Sequence, residues 1–206
     1  LVELRTVHHV SFWTDNLGYV AMNEPEWWNK EIFFHVHSDG YEYSKDGFGN
    51  AGVRLRPEPG KIDIISIDST QVADRMYRIT GAGRFRYAHW LGVDIPTKTI
   101  FSDGGVVGLD SAQSILYQNR IHWFWGDTSV FRYPLGNFRT TGAVSLLPSQ
   151  GGLFPSLGVD LEYFLDENGT VLQMCPMPPK GDLIWIDGLL TLEDDSGQER
   201  MVAHYS

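Results

Sequence analysis

Residues 108–139, GLDSAQSILYQNRIHWFWGDTSVFRYPLGNFR, carry the clearest fold signal in the chain. SILY and IHWFW are β-branched and aromatic runs separated by the polar turn Gln118-Asn119-Arg120, the pattern of a hairpin between adjacent strands. Asp110 precedes the first strand and Asp127 follows the second. Trp123 and Trp125 alternate with Phe124 and therefore share one strand face. A carboxylate at a strand end beside indole rings suits a sugar-binding cleft, although a dense β core needs the same bulk.

Outward from this stretch the pattern stays β-rich. Residues 1 to about 80 read as short strands (VELRTV, HHVSFWTD, YVAM, EIFFHVHS, VRLRP and KIDIISI) with the turns Asp15-Asn16-Leu17-Gly18 and Glu58-Pro59-Gly60. Strands of this length and spacing predict a β-sandwich. One short helix is expected near Pro25 to Lys30, because proline suits an early helical position and Glu24 and Glu26 suit its first turn. Residues 76–96, rich in glycine and closed by Pro96, read as a linker, so the expected domains are 1–96 and 97–206. Beyond Pro96, the turns Asp166-Glu167-Asn168-Gly169 and Asp194-Asp195-Ser196-Gly197 each separate β-rich runs. Asp110 and Asp187 each lead into a strand, a polar turn and an aromatic-bearing strand, as in successive propeller blades. About 110 residues at roughly 40–50 per blade make about two blades. The fold class expected is therefore all-β, a sandwich followed by a partial propeller.

Composition narrows the function classes. A net charge of -10 with no Lys/Arg-rich run argues against nucleic acid and against an anionic membrane surface. No apolar run approaches the roughly 18–20 residues that span a bilayer, so no membrane insertion is expected. The single cysteine, Cys175, rules out an internal disulfide and reads as a buried small hydrophobe. The chain opens at Leu1 without an initiator Met, as after removal of a leader or an upstream domain, and this hints at export.

DSAQSILYQNRIHWFWGDT and IWIDGLLTLEDDSGQERMVAHYS resemble the opening blades of five-bladed propeller proteins related to glycoside hydrolases, many of them exported by bacteria. FFHVHSDGYEYSKDGFGNAGVRLRPEPG and DRMYRITGAGRFR resemble the prealbumin-like (carboxypeptidase-regulatory-like) sandwich that precedes such a propeller. The resemblance implies a carbohydrate partner and a secreted, periplasmic or cell-surface location. It names no cofactor beyond a calcium ion that sits in the propeller channel of some relatives. Two blades cannot close a ring, so either further blades or a second chain complete it, or the fold is not a propeller. Asp110 takes the family's base position and Asp187 its orienting position; the third-blade general acid has no counterpart in this chain.

Glycoside hydrolysis needs two carboxyl groups across the scissile bond. Asp110 and Asp187 are the catalytic candidates. Asp110 also reads as a turn residue bonding its own backbone, and Asp187 as part of an Asp-Gly turn or as a carboxylate pressed among Trp185, Ile186 and Leu189. Trp123, Trp125, Asp127 and Arg139 are the substrate-binding candidates, the aspartate being equally a cap after its strand and the arginine a salt-bridge partner. His35 and His37 share a strand face but lack a third ligand, so no metal site is assigned, and His8 and His9 point apart if their segment is a strand. Three functions remain open: a glycoside hydrolase, a non-catalytic carbohydrate-binding or cell-surface assembly module, and a truncated product without activity of its own.

Overall fold

The computed structural model describes residues 2–73, 76–80, 83–98, 100, 103–131, 133–137, 140–175 and 184–206. The chain is all-β, built from several small antiparallel sheets, none of them closed. It divides into two compact units, one of residues 1–76 with 85–95, the other of residues 77–84 with 96–206.

In the first unit, β1 (Glu3–Thr6), β2 (Ser11–Trp13), β3 (Ile32–His37) and β5 (Gly52–Leu55) form a sheet in the order β2-β1-β3-β5, while β4 (Tyr41–Glu42) pairs with β6 (Asp68–Ser69). Period-two alternation in β3 buries Phe34 and Val36 with Leu4 of β1. On the other face, Phe33 packs edge-on against His35. The proposed helix near Pro25 is a single 3-10 turn, Pro25–Trp27, which sets Trp27 edge-on against both Phe12 and Phe34. YVAM and KIDIISI are not strands. In the latter, Ile65 and Ile67 lean on the core while Ile62 and Ile64 stand in solvent, so its apolar residues do not share one buried surface. His8 and His9 lie in the turn joining β1 to β2, with His9 at φ 63°.

The stretch read as a linker contains the one α-helix among the described residues, α1 (Arg86–Trp90). Its five residues are too few to be stable alone. Tertiary contacts hold it: Phe85 and Ala88 are buried, and the Ala88 N–H donates to Asp15 Oδ2 at 2.7 Å. The same carboxylate accepts the N–H groups of Leu17 and Tyr19 through Oδ1, at 3.0 and 3.1 Å. Asp15 is only 3% exposed, so three backbone donors satisfy a charge that water does not reach.

This Asp-x-x-Gly-x device recurs four times, at Asp15, Asp46, Asp166 and Asp194. Each carboxylate accepts from the amides two and four residues on, and each aspartate N–H donates back to the carbonyl four residues on. The glycine three residues on adopts φ between 73° and 85°, a left-handed conformation that a Cβ disfavours. Each turn thus closes on itself through its own side chain.

The second unit contains β7 (Val106–Leu109), β8 (Gln113–Tyr117), β9 (Arg120–Trp125), β10 (Thr128–Val130), β11 (Tyr133–Asn137), β12 (Thr141–Leu146), β13 (Glu162–Tyr163), β14 (Ile186–Glu193) and β15 (Glu199–Tyr205). β13-β12-β9-β8 form a four-stranded sheet, β11-β10-β7 a three-stranded one, and β14-β15 a hairpin. The β8–β9 turn is shorter than its sequence suggests: Gln118 and Asn119, at φ 48° and 59°, make it alone, and Arg120 already belongs to β9. Two successive left-handed residues match the strands' natural twist. Val106, Trp125, Val130, Ala143 and Tyr163, from strands of both larger sheets, form the core with Val171, which lies in a bridge outside them.

Asp15→Ala is expected to destabilise the first unit by about 3 kcal/mol, because it orphans a buried amide and unties two more; urea unfolding measures the loss. Gly169→Ala, which meets no neighbouring atom, should cost about 1 kcal/mol from backbone strain alone, and Gly169→Asn less. Hydrogen bonds from Ser196, then Arg200, lower the Asp194 pKa to about 2 from 3.8. A depressed carboxyl pKa contributes stability that is fully present above the unfolded value and is lost as pH falls through the folded one. The β14–β15 amides should therefore shift in NMR spectra between about pH 4 and pH 2, and Asp194→Asn should flatten that response.

Candidate functional site

Antiparallel pairing of β9 with β12 sets Ile121 opposite Ser145, Trp123 opposite Ala143 and Trp125 opposite Thr141. Alternation then puts all six on one face, and the small residues of β12 leave room for the two indoles. Trp125 is 1% exposed and belongs to the core. Trp123, half-buried, stacks on it with centroids 6.3 Å apart and planes 7° from parallel, and its Nε1–H donates to Ser145 Oγ at 2.8 Å. One indole face is thus covered and the ring plane held.

Trp123, Ile121 and Ser145 line a cleft of about 130 Å³, together with Tyr77, Lys98, Asp160, Glu162 and the loop from Leu146 to Val159. That volume lies below the roughly 300–1,000 Å³ of sites that engulf drug-sized ligands, and suits one ring or the edge of a chain. Glu162 Oε2 accepts from Arg120 Nη2 at 2.6 Å, and Lys98 Nζ approaches Oε1 at 3.9 Å. The Arg120 hydrogen bond, foremost, holds the Glu162 carboxyl below its ordinary pKa. Asp160 Oδ1 accepts the Lys98 backbone N–H at 2.8 Å. A carboxylate held ionised accepts hydrogen bonds but does not supply a proton.

Asp110, Asp127 and Asp187 are not among the residues lining this cleft. Asp110 is exposed at the end of β7, its Oδ1 accepting the Ser111 N–H at 2.7 Å, as the turn reading has it. Its backbone N–H donates to the Asp127 carbonyl and its own carbonyl accepts from Gly126, so the two strand ends are clamped together. Among the described residues, the buried Asp127 Oδ1 has no hydrogen-bond partner. Asp187 does not precede a strand: it lies inside β14, at a register shift between Ile186 and Gly188, where the bulge turns it outward. It is exposed rather than pressed among apolar neighbours, and it pairs with His204 Nδ1 of β15.

No family model, curated protein or solved structure matches this chain.

Of the substrate-binding candidates, Trp123 alone lines the cleft; Trp125 supports it from the core, and Arg139 lies outside the described residues. Among the described residues no group of three or more His, Cys, Asp or Glu could hold a metal ion, His35 and His37 included. Cys175 is exposed rather than buried, at φ 52°. Sequence reasoning passed over Asp160, Glu162, Lys98 and Ser145. One signal was present: in VDLEYF, acids alternate with apolar residues, which puts Asp160 and Glu162 on the same side of an extended segment.

Trp125→Ala should destabilise the protein by about 3–5 kcal/mol. Trp123→Ala, at a half-buried position, should cost clearly less in the same denaturant titration.

Proposed function

We propose that the second unit binds carbohydrate non-catalytically at the Trp123 cleft. The observation carrying this reading is the Trp123 ring, held flat against Trp125 and pinned by Ser145, with carboxylates at the cleft wall. A rigid indole offers an apolar face to the C–H face of a pyranose at little entropic cost, and Asp160 and Glu162 accept from hydroxyls. Glu162, held ionised by Arg120, fits an acceptor and not a general acid.

The architecture belongs to the same proposal. We read the sheet of the first unit as the prealbumin-like sandwich and the meander β8-β9-β12-β13 as one propeller blade, with β10 and β11 inserted. Four antiparallel strands in spatial order β13-β12-β9-β8 support the blade. An exported or cell-surface protein that binds polysaccharide fits this reading.

A hydrolase using Asp110 and Asp187 is the second reading, favoured by one observation. A Cβ on Gly126 would lie 2.9 Å from Trp185 Cδ1 and 3.4 Å from Ser111 Cβ, so the chain beside Asp110 packs close to the start of β14. Gln113 Nε2 reinforces the approach by donating to the Ile186 carbonyl at 2.6 Å.

Glycan-array screening followed by calorimetry tests both readings. Trp123→Ala should weaken binding about tenfold, or about 1.4 kcal/mol, while Asp110→Asn leaves it unchanged. Release of reducing ends that Asp110→Asn and Asp187→Asn abolish would replace the binding reading with the hydrolase.

A further inference from the structure

Resting on the carbohydrate reading, we infer that the Trp123 cleft is selective for a cationic amino sugar, with its ring over Trp123 and its ammonium between Asp160 and Glu162. Three observations carry this. First, among the described residues the cleft wall holds two carboxylates and one ammonium, Lys98, with Arg120 bonded to one oxygen of Glu162. Second, that ammonium is held loosely: its Nζ lies 3.9 Å from Glu162 Oε1 and its side chain is 68% exposed, so an incoming cation displaces it at little cost. Third, the acceptors are anchored independently of Lys98 Nζ. Arg120 grips Glu162 through Oε2 at 2.6 Å and leaves Oε1 for a ligand, while the Lys98 main chain steadies Asp160 through Oδ1 and leaves Oδ2.

The neighbouring groups suit the same ligand. Trp123 stacks on Trp125 and lines the cleft, and an ammonium near an indole gains a cation–π attraction besides its ionic partners. A carboxylated sugar meets the opposite situation: Asp160 and Glu162 repel it, and Arg120 Nη2 is already engaged.

Titration calorimetry on the full chain, comparing a β-1,4-linked glucosamine oligosaccharide with its fully N-acetylated counterpart, tests the inference. The glucosamine form should bind at least about tenfold more tightly in low salt, with the preference shrinking as salt screens the pairing. Glu162→Gln and, separately, Asp160→Asn should each reduce that preference, weakening binding of the glucosamine form more than that of the acetylated form. Lys98→Ala should tighten glucosamine binding by removing the competing ammonium. Equal or tighter binding of the acetylated form, still dependent on Trp123, overturns the amino-sugar inference and leaves the carbohydrate reading standing. Failure of both oligosaccharides, and of every glycan on the array, overturns the two together.

Discussion

The closure of a turn by its own aspartate is the local constraint that recurs in both units, at Asp15, Asp46, Asp166 and Asp194. Strands of two to eight residues bury little apolar surface, so pairing alone does not hold their register. The Asp-x-x-Gly-x turns supply it locally, each carboxylate collecting two amides while the glycine takes the left-handed position. Asp194 sets the hairpin of β14 and β15, Asp166 the bridge of Leu165 to Val171, and Asp46 the bridge of Lys45 to Ala51. At Asp15 the same turn reaches further. Its second oxygen takes an amide of α1 and turns a local device into a buried tertiary bond.

In the second unit, the buried core and the cleft wall are consecutive steps along one strand. Trp125 enters the core between two sheets; Trp123, two residues earlier on the same face, stacks on it and reaches the cleft. The rigidity of the candidate ligand platform therefore comes from the core. The charges beside it are set by a different contact, the bond from Arg120 of β9 to Glu162 of β13, across the intervening β12.

Much of this was legible from residue order. The β8–β9 hairpin, the shared face of Trp123 and Trp125, and three of the four aspartate turns follow from local pattern, because hairpins and turns are decided by residues close in sequence. KIDIISI shows where pattern fails: its isoleucines are as apolar as those of a strand, but no neighbouring strand pairs with them among the described residues. Asp187 shows another failure. Its position relative to an apolar run resembled that of Asp110, but a bulge in its pairing with β15 turned it outward to His204.

By itself, the sequence determined an all-β chain of short hairpins, a net charge of -10, and the strand that carries the indole pair. Those properties depend on composition and on neighbours within a few residues. Only the tertiary structure decided which indole is buried and which one lines a cleft, that α1 is held by a carboxylate 73 residues away, and that Lys98, Asp160 and Glu162 gather beside Trp123. The reason is physical: burial and charge pairing depend on which surfaces meet, and here the partners come from segments separated by tens of residues, where no local periodicity records them.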